Sequence, residues 1–409
     1  MISVDEAQAA VLGRVPTLPV ETAPLARAWS RVLRAPIIAD RDQPPFDRAA
    51  MDGFAMRSAD AAKPFSRLKV TGEVRAGVWP DRGVGKGEAI RIMTGAPVPE
   101  GADAVIQVER TRMVEAAAGS PDVLIEVTVQ PGQNIVPRGS EAIAGAVLLR
   151  EGVRIGIPHL AVLASTGVVE PAVSRKPRVA VIVTGDEVID PSGRPAPAQI
   201  RNANGPALLA AIEEAGGVPT DLGVVPDDAS LTRAAMERAL HEGHDAIVLS
   251  GGVSAGDYDF VEDVLGQLSV TLHVTAVRVK PGAPFVFGTR GQTLVFGLPG
   301  NPVSAQVTFE LFVRPALLKM QGATRILRRR FEATLAGPLR NRSARRSYLP
   351  VTVTRVDGGL TAQPVRTQGS GDIVANALAH ALAILEPDRA DAAAGERVAL
   401  YPLSSFLEV

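Results

Sequence analysis

Three short apolar runs, each ending in a polar, glycine-rich loop, constrain this chain more than any other feature. Residues 179–183 run into Thr184-Gly185-Asp186-Glu187, and residues 246–249 run into Ser250-Gly251-Gly252-Val253-Ser254-Ala255-Gly256-Asp257-Tyr258-Asp259. Residues 293–296 run into Gly297-Leu298-Pro299-Gly300-Asn301-Pro302. Runs this short and this apolar suit strands of a parallel sheet covered on both faces. Helical patterns over 205–215 and 230–242 lie between the first two, so the order strand, helix, strand, helix, strand is expected. Open sheets of this kind bind ligands beyond the carboxyl ends of their strands. All three loops fall there.

The residue types in the loops say what such a crevice could hold. Gly251, Gly252 and Gly256 let backbone N–H groups come close to an anion, and Thr184, Gly185 and Asp186 are candidate contacts from the first loop. Asn301-Pro302 reads as an N-cap with a first-turn proline. A helix over 303–320 would then point its positive end at the crevice. Asp186, Glu187, Asp257 and Asp259 add carboxylates beside this phosphate-friendly surface, a combination that suits a bridging hard cation such as Mg²⁺. Lys280-Pro281-Gly282, closing the run 272–279, places a cation at a further loop. Glycines that merely turn the chain and acids that are merely solvated are the bland alternative. Three such loops at one sheet edge weigh against it.

The 409 residues carry 43 basic and 44 acidic side chains, and 46% are apolar. That length suggests about two to four domains with real cores, and the charge balance favours neither nucleic acid nor an anionic membrane as a partner. The absence of cysteine excludes disulfides, thiolate metal sites and cysteine nucleophiles. Asp5 and Glu6 sit on a helical pattern within residues 1–15, unlike a signal peptide. No run reaches the ~18 apolar residues of a membrane span. A soluble, cytoplasmic protein is expected.

Elsewhere the chain reads in pieces. Helical spacing at Val4, Ala7 and Val11, and again at Leu25, Trp29, Val32 and Leu33, predicts two N-terminal helices interrupted by Pro16, Pro19 and Pro24. Asp52-Gly53, between apolar residues, reads on its own as a turn. Short alternating runs between residues 65 and 129 predict a small, mostly β domain. Thr94 there can offer a hydroxyl and backbone donors to an anion, or bond within its own turn. Helical patterning returns over 157–165. The basic run 325–330 has no interleaved aromatics and reads as a solvated linker. Residues 327–409 alternate as strands, with a hairpin turn at Asp357-Gly358 and a loop at Gln368-Gly369-Ser370-Gly371.

In this order, residues 184–187, 251–259, 280–282 and 298–305 resemble the molybdopterin-binding domain of the MoeA/gephyrin family. The resemblance extends to Ala28-Trp29-Ser30-Arg31-Val32-Leu33, to Pro44-Pro45-Phe46-Asp47 with Ala50-Met51-Asp52-Gly53-Phe54-Ala55, and to the turn 91–99; Ala49 replaces the usual serine. It implies a multidomain α/β protein. An N-terminal helical/linker domain would span 1–44 and 139–175, an inserted β-rich domain 45–138, a doubly wound α/β molybdopterin-binding domain 176–326, and a small C-terminal β-barrel 327–409.

The implied activity is a transferase step of molybdenum cofactor biosynthesis. Adenylylated molybdopterin and molybdate are the substrates, the phosphoanhydride is hydrolysed, and AMP is released. By the same resemblance Asp259, Glu187 and Asp227 hold Mg²⁺ and position water, and Asp52 faces the catalytic cleft together with Thr94. The loop 250–256 holds phosphate or pterin with Pro299, Asn301 and Pro302. Lys280, Ser254 and Ser370 donate to the oxyanion. Glu141 stands where the family has aspartate. Ala276, Ala283 and Pro350 occupy the places of family cations. Arg278, which shares strand parity with Lys280, and Arg345 and Arg346 are the nearby substitutes. The family further implies a homodimer in which the β domain of one subunit covers the sheet edge of the other, and the upstream adenylyltransferase as a candidate partner. Two other readings stay open: an adenylyltransferase acting one step earlier, and a non-enzymatic molybdopterin-binding scaffold. A dinucleotide binder is disfavoured, because no G-x-G-x-x-G follows a strand.

Overall fold

The computed structural model describes residues 1–115, 121–252, 261–341 and 343–403. The chain forms two compact units, one from residues 1–35, 151–157 and 170–409, the other from 36–150 and 158–169.

A six-stranded sheet organises the larger unit, in the order Val218–Val225, Arg178–Thr184, Ala246–Ser250, Thr293–Leu298, Val286–Arg290, Thr271–Val274. The first four strands are parallel and the last two are antiparallel to their neighbours. Strand Arg178–Thr184 shows why its sequence lacks alternation. Val179 and Val181 pack with Leu208 and Ile212 on one face, while Ala180 and Ile182 pack with Met236 and Leu265 on the other. Each of the valine, leucine, isoleucine and methionine side chains stabilises the fold by ~1.5–3 kcal/mol on burial, which makes the sheet a firm platform for its loops. From Arg178–Thr184 the chain first steps to Val218–Val225, then crosses back to Ala246–Ser250 on the opposite side. The strand order therefore reverses beside Thr184 and Ser250, and a crevice opens at such a point.

The helix expected over 303–320 is present in three parts. Pro302–Thr308 passes through a π-helical stretch, Phe309–Val313, into Arg314–Met320. Pro315 has no N–H to return to the preceding turn, which accounts for the break in pattern. Asn301 stands at the N-cap position, but its side chain makes no capping bond.

Two sequence expectations are corrected here. Only the first N-terminal helix forms, Val4–Leu12, behind a Ser3–Glu6 capping box. The second shrinks to the 3₁₀ turn Leu25–Arg27, because Ser30 takes a left-handed φ of 66° and Val32 and Leu33 turn to bridge Arg154 and Val173. The basic run is not a solvated linker throughout either. Arg328 is mostly buried and pairs with Glu310 at 2.7 Å and Glu214 at 2.9 Å.

The C-terminal strands close a five-stranded barrel in the order Arg346–Val356, Gly359–Pro364, Phe331–Leu335, Arg397–Pro402, Ala381–Leu385, the last pairing back onto the first. Val351, Val353, Ala383 and Leu385 fill its interior. Asp357 and Gly358 have φ of 47° and 78°, as a two-residue hairpin turn requires. The short strand Val279–Lys280 pairs with Arg346 and Ser347 and so ties the Lys280 loop to the barrel.

The smaller unit holds a second six-stranded sheet, Ala104–Gln107, Gly53–Met56, Glu88–Ile92, Ser66–Val74, Asp122–Ile125, Thr111–Val114. Apolar clusters cover both faces, Phe54 and Met56 on one and Ala55, Ile90 and Ile92 on the other. Asp52 is thus the last residue before a central strand rather than part of a free turn.

Candidate active site

A cleft of about 400 Å³ opens at the strand-order reversal of the larger unit. Thr184, Gly185 and Glu187 line it from the first strand end, Gly251 and Gly252 from the third. Gly251 and Gly252 have φ of 106° and 64°, and a Cβ added at Gly251 would lie 2.5 Å from Thr184 Oγ1. Only glycine admits that approach. Thr184 Oγ1 is buried beside the Asp227 carboxylate, whose ionised form its hydroxyl favours.

An acid pair sits on the same wall. Asp227 and Glu187 line the cleft, whereas Asp186 does not and instead accepts the Asp227 N–H at 3.0 Å. Burial, and then the negative charges of Asp186 and Glu187, push the Asp227 carboxyl above its ordinary pKa. Among the described residues no three His, Asp or Glu side chains converge as a metal site. Ser254, Gly256, Asp257 and Asp259 lie outside the described residues.

Three further polar residues of this wall escaped sequence reasoning: Arg201, Asn202 and Asn204. They follow a loop without periodicity, and only the fold returns them to the strand ends. Asn204 is buried and donates to Ser250 Oγ and to the Gly300 carbonyl, each at 2.8 Å.

A second cleft, of about 700 Å³, lies between the Lys280 loop, the loop at 367–372 and the start of the first barrel strand. Lys280, Arg345 and Ser370 line it, and neither cation has an ion-pair partner among the described residues. Ala283 and Pro350 also line it. Arg346 is engaged elsewhere, by Asp5 at 2.8 and 3.0 Å and by Glu386 at 2.7 Å. Arg278 is exposed and lines neither cleft. The Asp372 carboxylate accepts the N–H groups of Gln368 and Ala375, which hold its pKa below the usual range and shape the loop. The Ser370 carbonyl accepts Val303 N–H at 3.1 Å, fastening that loop to the helix start. Pro284, Pro299 and Asn301 line both clefts, and Pro302 lines the first.

In the smaller unit Asp52 accepts the backbone N–H and the hydroxyl of Thr94, both at 2.6 Å, which keep its pKa low. Glu141 pairs with Arg48 at 2.7 Å. Gly53 sets the geometry, because a Cβ there would lie 1.8 Å from the Ile106 carbonyl oxygen. Gly53→Ala should therefore destabilise this unit by at least about 2 kcal/mol through a backbone clash. Urea unfolding would read this as a lower midpoint, and an unchanged midpoint would contradict the close approach.

Known proteins resemble this chain over most of its length. Residues 2–167 match the family model of the MoeA N-terminal region (domain I and II), residues 180–319 that of a probable molybdopterin binding domain, and residues 332–403 that of the MoeA C-terminal region (domain IV). A molybdopterin molybdenumtransferase of Staphylococcus aureus (strain MRSA252) is 33% identical over 392 residues, 94% of this chain and 91% of that one. Its counterpart in Bacillus subtilis (strain 168) is 34% identical over 391 residues, 94% of this chain and 90% of that one. The crystal structure of the molybdopterin biosynthesis MoeA protein from Pyrococcus horikoshii OT3 superposes with a TM-score of 0.82 at 30% identity, covering 98% of this chain and 100% of that one.

Proposed function

This chain belongs to the MoeA family of molybdopterin molybdenumtransferases, enzymes of molybdenum cofactor biosynthesis, and from that premise we propose how its two clefts divide the reaction. The first takes adenylylated molybdopterin by its phosphates, beside Thr184 and Gly185 and where the glycine backbone at Gly251 and Gly252 lets an anion come close, with Asn301 and Pro302 at the helix start; the Gly185 and Gly251 N–H groups are themselves spent on the Val225 and Leu298 carbonyls. The loop carrying Ser254, Gly256 and Asp257 adds further contacts by family resemblance. The second takes molybdate on Lys280, Arg345 and Ser370, as charge-assisted hydrogen bonds favour for an oxyanion. Arg346, tied to Asp5 and Glu386, is left out. The observation that supports this most is the shared wall of Pro284, Pro299 and Asn301, which brings an oxyanion site and a phosphate site side by side.

Glu187 and Asp227, with Asp259, are the groups that would hold Mg²⁺. An acid pair on one cleft wall suits a hard cation, and the described residues supply two such side chains and not three. The cation would neutralise charge developing on the phosphoanhydride. Asp52, with Thr94 and Glu141, would act from the β domain of the partner in a homodimer, and the upstream adenylyltransferase is the natural donor of the substrate. No helix among the described residues is long and apolar enough to cross a membrane, and we place the reaction in the cytoplasm.

The test is product analysis with purified protein, Mg²⁺, molybdate and adenylylated molybdopterin. AMP and molybdenum-bearing molybdopterin should form in equal amounts. Binding without AMP release would indicate a scaffold. Formation of adenylylated product from ATP and molybdopterin would indicate the preceding step instead.

A further inference from the structure

The wall between the two clefts includes residues 299–301, a short loop between strand Thr293–Leu298 and helix Pro302–Thr308. Asn204, on another element, holds it. One Asn204 amide hydrogen reaches the Gly300 carbonyl and the other reaches Ser250 Oγ, each at 2.8 Å. Ser250 Oγ, fully buried, donates in turn to the Pro299 carbonyl at 3.2 Å. A carbonyl can only accept, so the amide nitrogen must face Gly300, and the direction of the whole chain of bonds is fixed. Asn204 thereby ties the first turn of one helix and the end of a central strand to two successive carbonyls of the shared wall.

We propose that Asn204 is a positioning residue, which sets the distance between the phosphoanhydride in one cleft and the oxyanion in the other by fixing residues 299–301. This rests on the assignment of the two clefts given above. Because each substrate keeps its own binding groups, loss of Asn204 should leave both bound and misplace them. Misplacement on the ångström scale costs about a hundredfold in rate.

Steady-state AMP release is the readout, with both substrates varied. Asn204→Ala should lower kcat at least about tenfold while both KM values stay within about threefold. Ser250→Ala, which keeps the Gly300 bond, should show a smaller loss of the same kind. In Asn204→Asp the carboxylate repels the Gly300 carbonyl, but its protonated form can donate, so its kcat relative to the parent should rise as pH falls. A folded Asn204→Ala with parental kcat, or a loss carried by KM alone, overturns the proposal. If Asn204→Ala does not fold, a pH-independent kcat ratio for Asn204→Asp overturns it. A parent chain without AMP release would refute the assignment of the clefts instead, before any variant is compared.

Discussion

Asp227→Asn is expected to release AMP at least about a hundredfold more slowly than the parent, the scale of losing one preorganised charged group at a reacting phosphate. It should nevertheless unfold at the same or a higher temperature. Burial and the charges of Asp186 and Glu187 disfavour ionised Asp227 in the folded state, so a neutral amide of the same shape relieves a repulsion. The sign follows from linkage. A raised carboxyl pKa means that the folded state holds this proton more tightly than the unfolded chain, so the parent loses stability as pH rises through the folded value. The stability gap between variant and parent should be open at neutral pH and close once pH falls below the ordinary carboxylate value. Activity lost together with stability at every pH would make Asp227 a structural residue.

A second large effect is expected from mixing two inactive chains. Asp52→Ala removes the acid that Thr94 holds in the smaller unit, and Asp227→Asn removes the acid of the α/β cleft. If one subunit contributes Asp52 to the cleft of the other, a heterodimer carries one doubly damaged cleft and one intact cleft, since a two-fold interface repeats each contact twice. Random mixing gives roughly half heterodimers, so co-expression should restore about a quarter of parental activity from two silent chains. A mixture that stays silent, with heterodimers present by sedimentation, would show that each cleft is built within a single chain.

The sheet was legible because its strands are covered on both faces: residues 179–183 and 246–249 announce themselves as unbroken apolar runs, and their loops must lie at one edge. The Lys280 cleft was only half legible. Lys280 and Ser370 stand out beside glycines, but Arg345 and Arg346 are adjacent and chemically identical in sequence. What separates them is tertiary. Asp5, on the first helix, and Glu386, after a barrel strand, converge on Arg346 and leave Arg345 to the cleft. Asn204 was invisible for a similar reason, since its partners, the Ser250 hydroxyl and the Gly300 carbonyl, come from distant strand ends. Leu25, Trp29, Val32 and Leu33 misled in the other direction. Their helical spacing is real, but the left-handed Ser30 breaks the turn and the last two residues pair as bridges.

By the proposed division of the reaction, an oxyanion in the Lys280 cleft governs chemistry in the cleft beside it. The most direct measurement is AMP release titrated with molybdate, for the parent and for Lys280→Ala. One hydrogen bond from a charged donor is worth ~1.5–3 kcal/mol, and about 1.4 kcal/mol is tenfold. AMP release by the parent should rise with molybdate and saturate, and Lys280→Ala should need about tenfold more molybdate or beyond for half-saturation. AMP release that ignores molybdate in the parent, or a titration that Lys280→Ala leaves in place, would contradict the account.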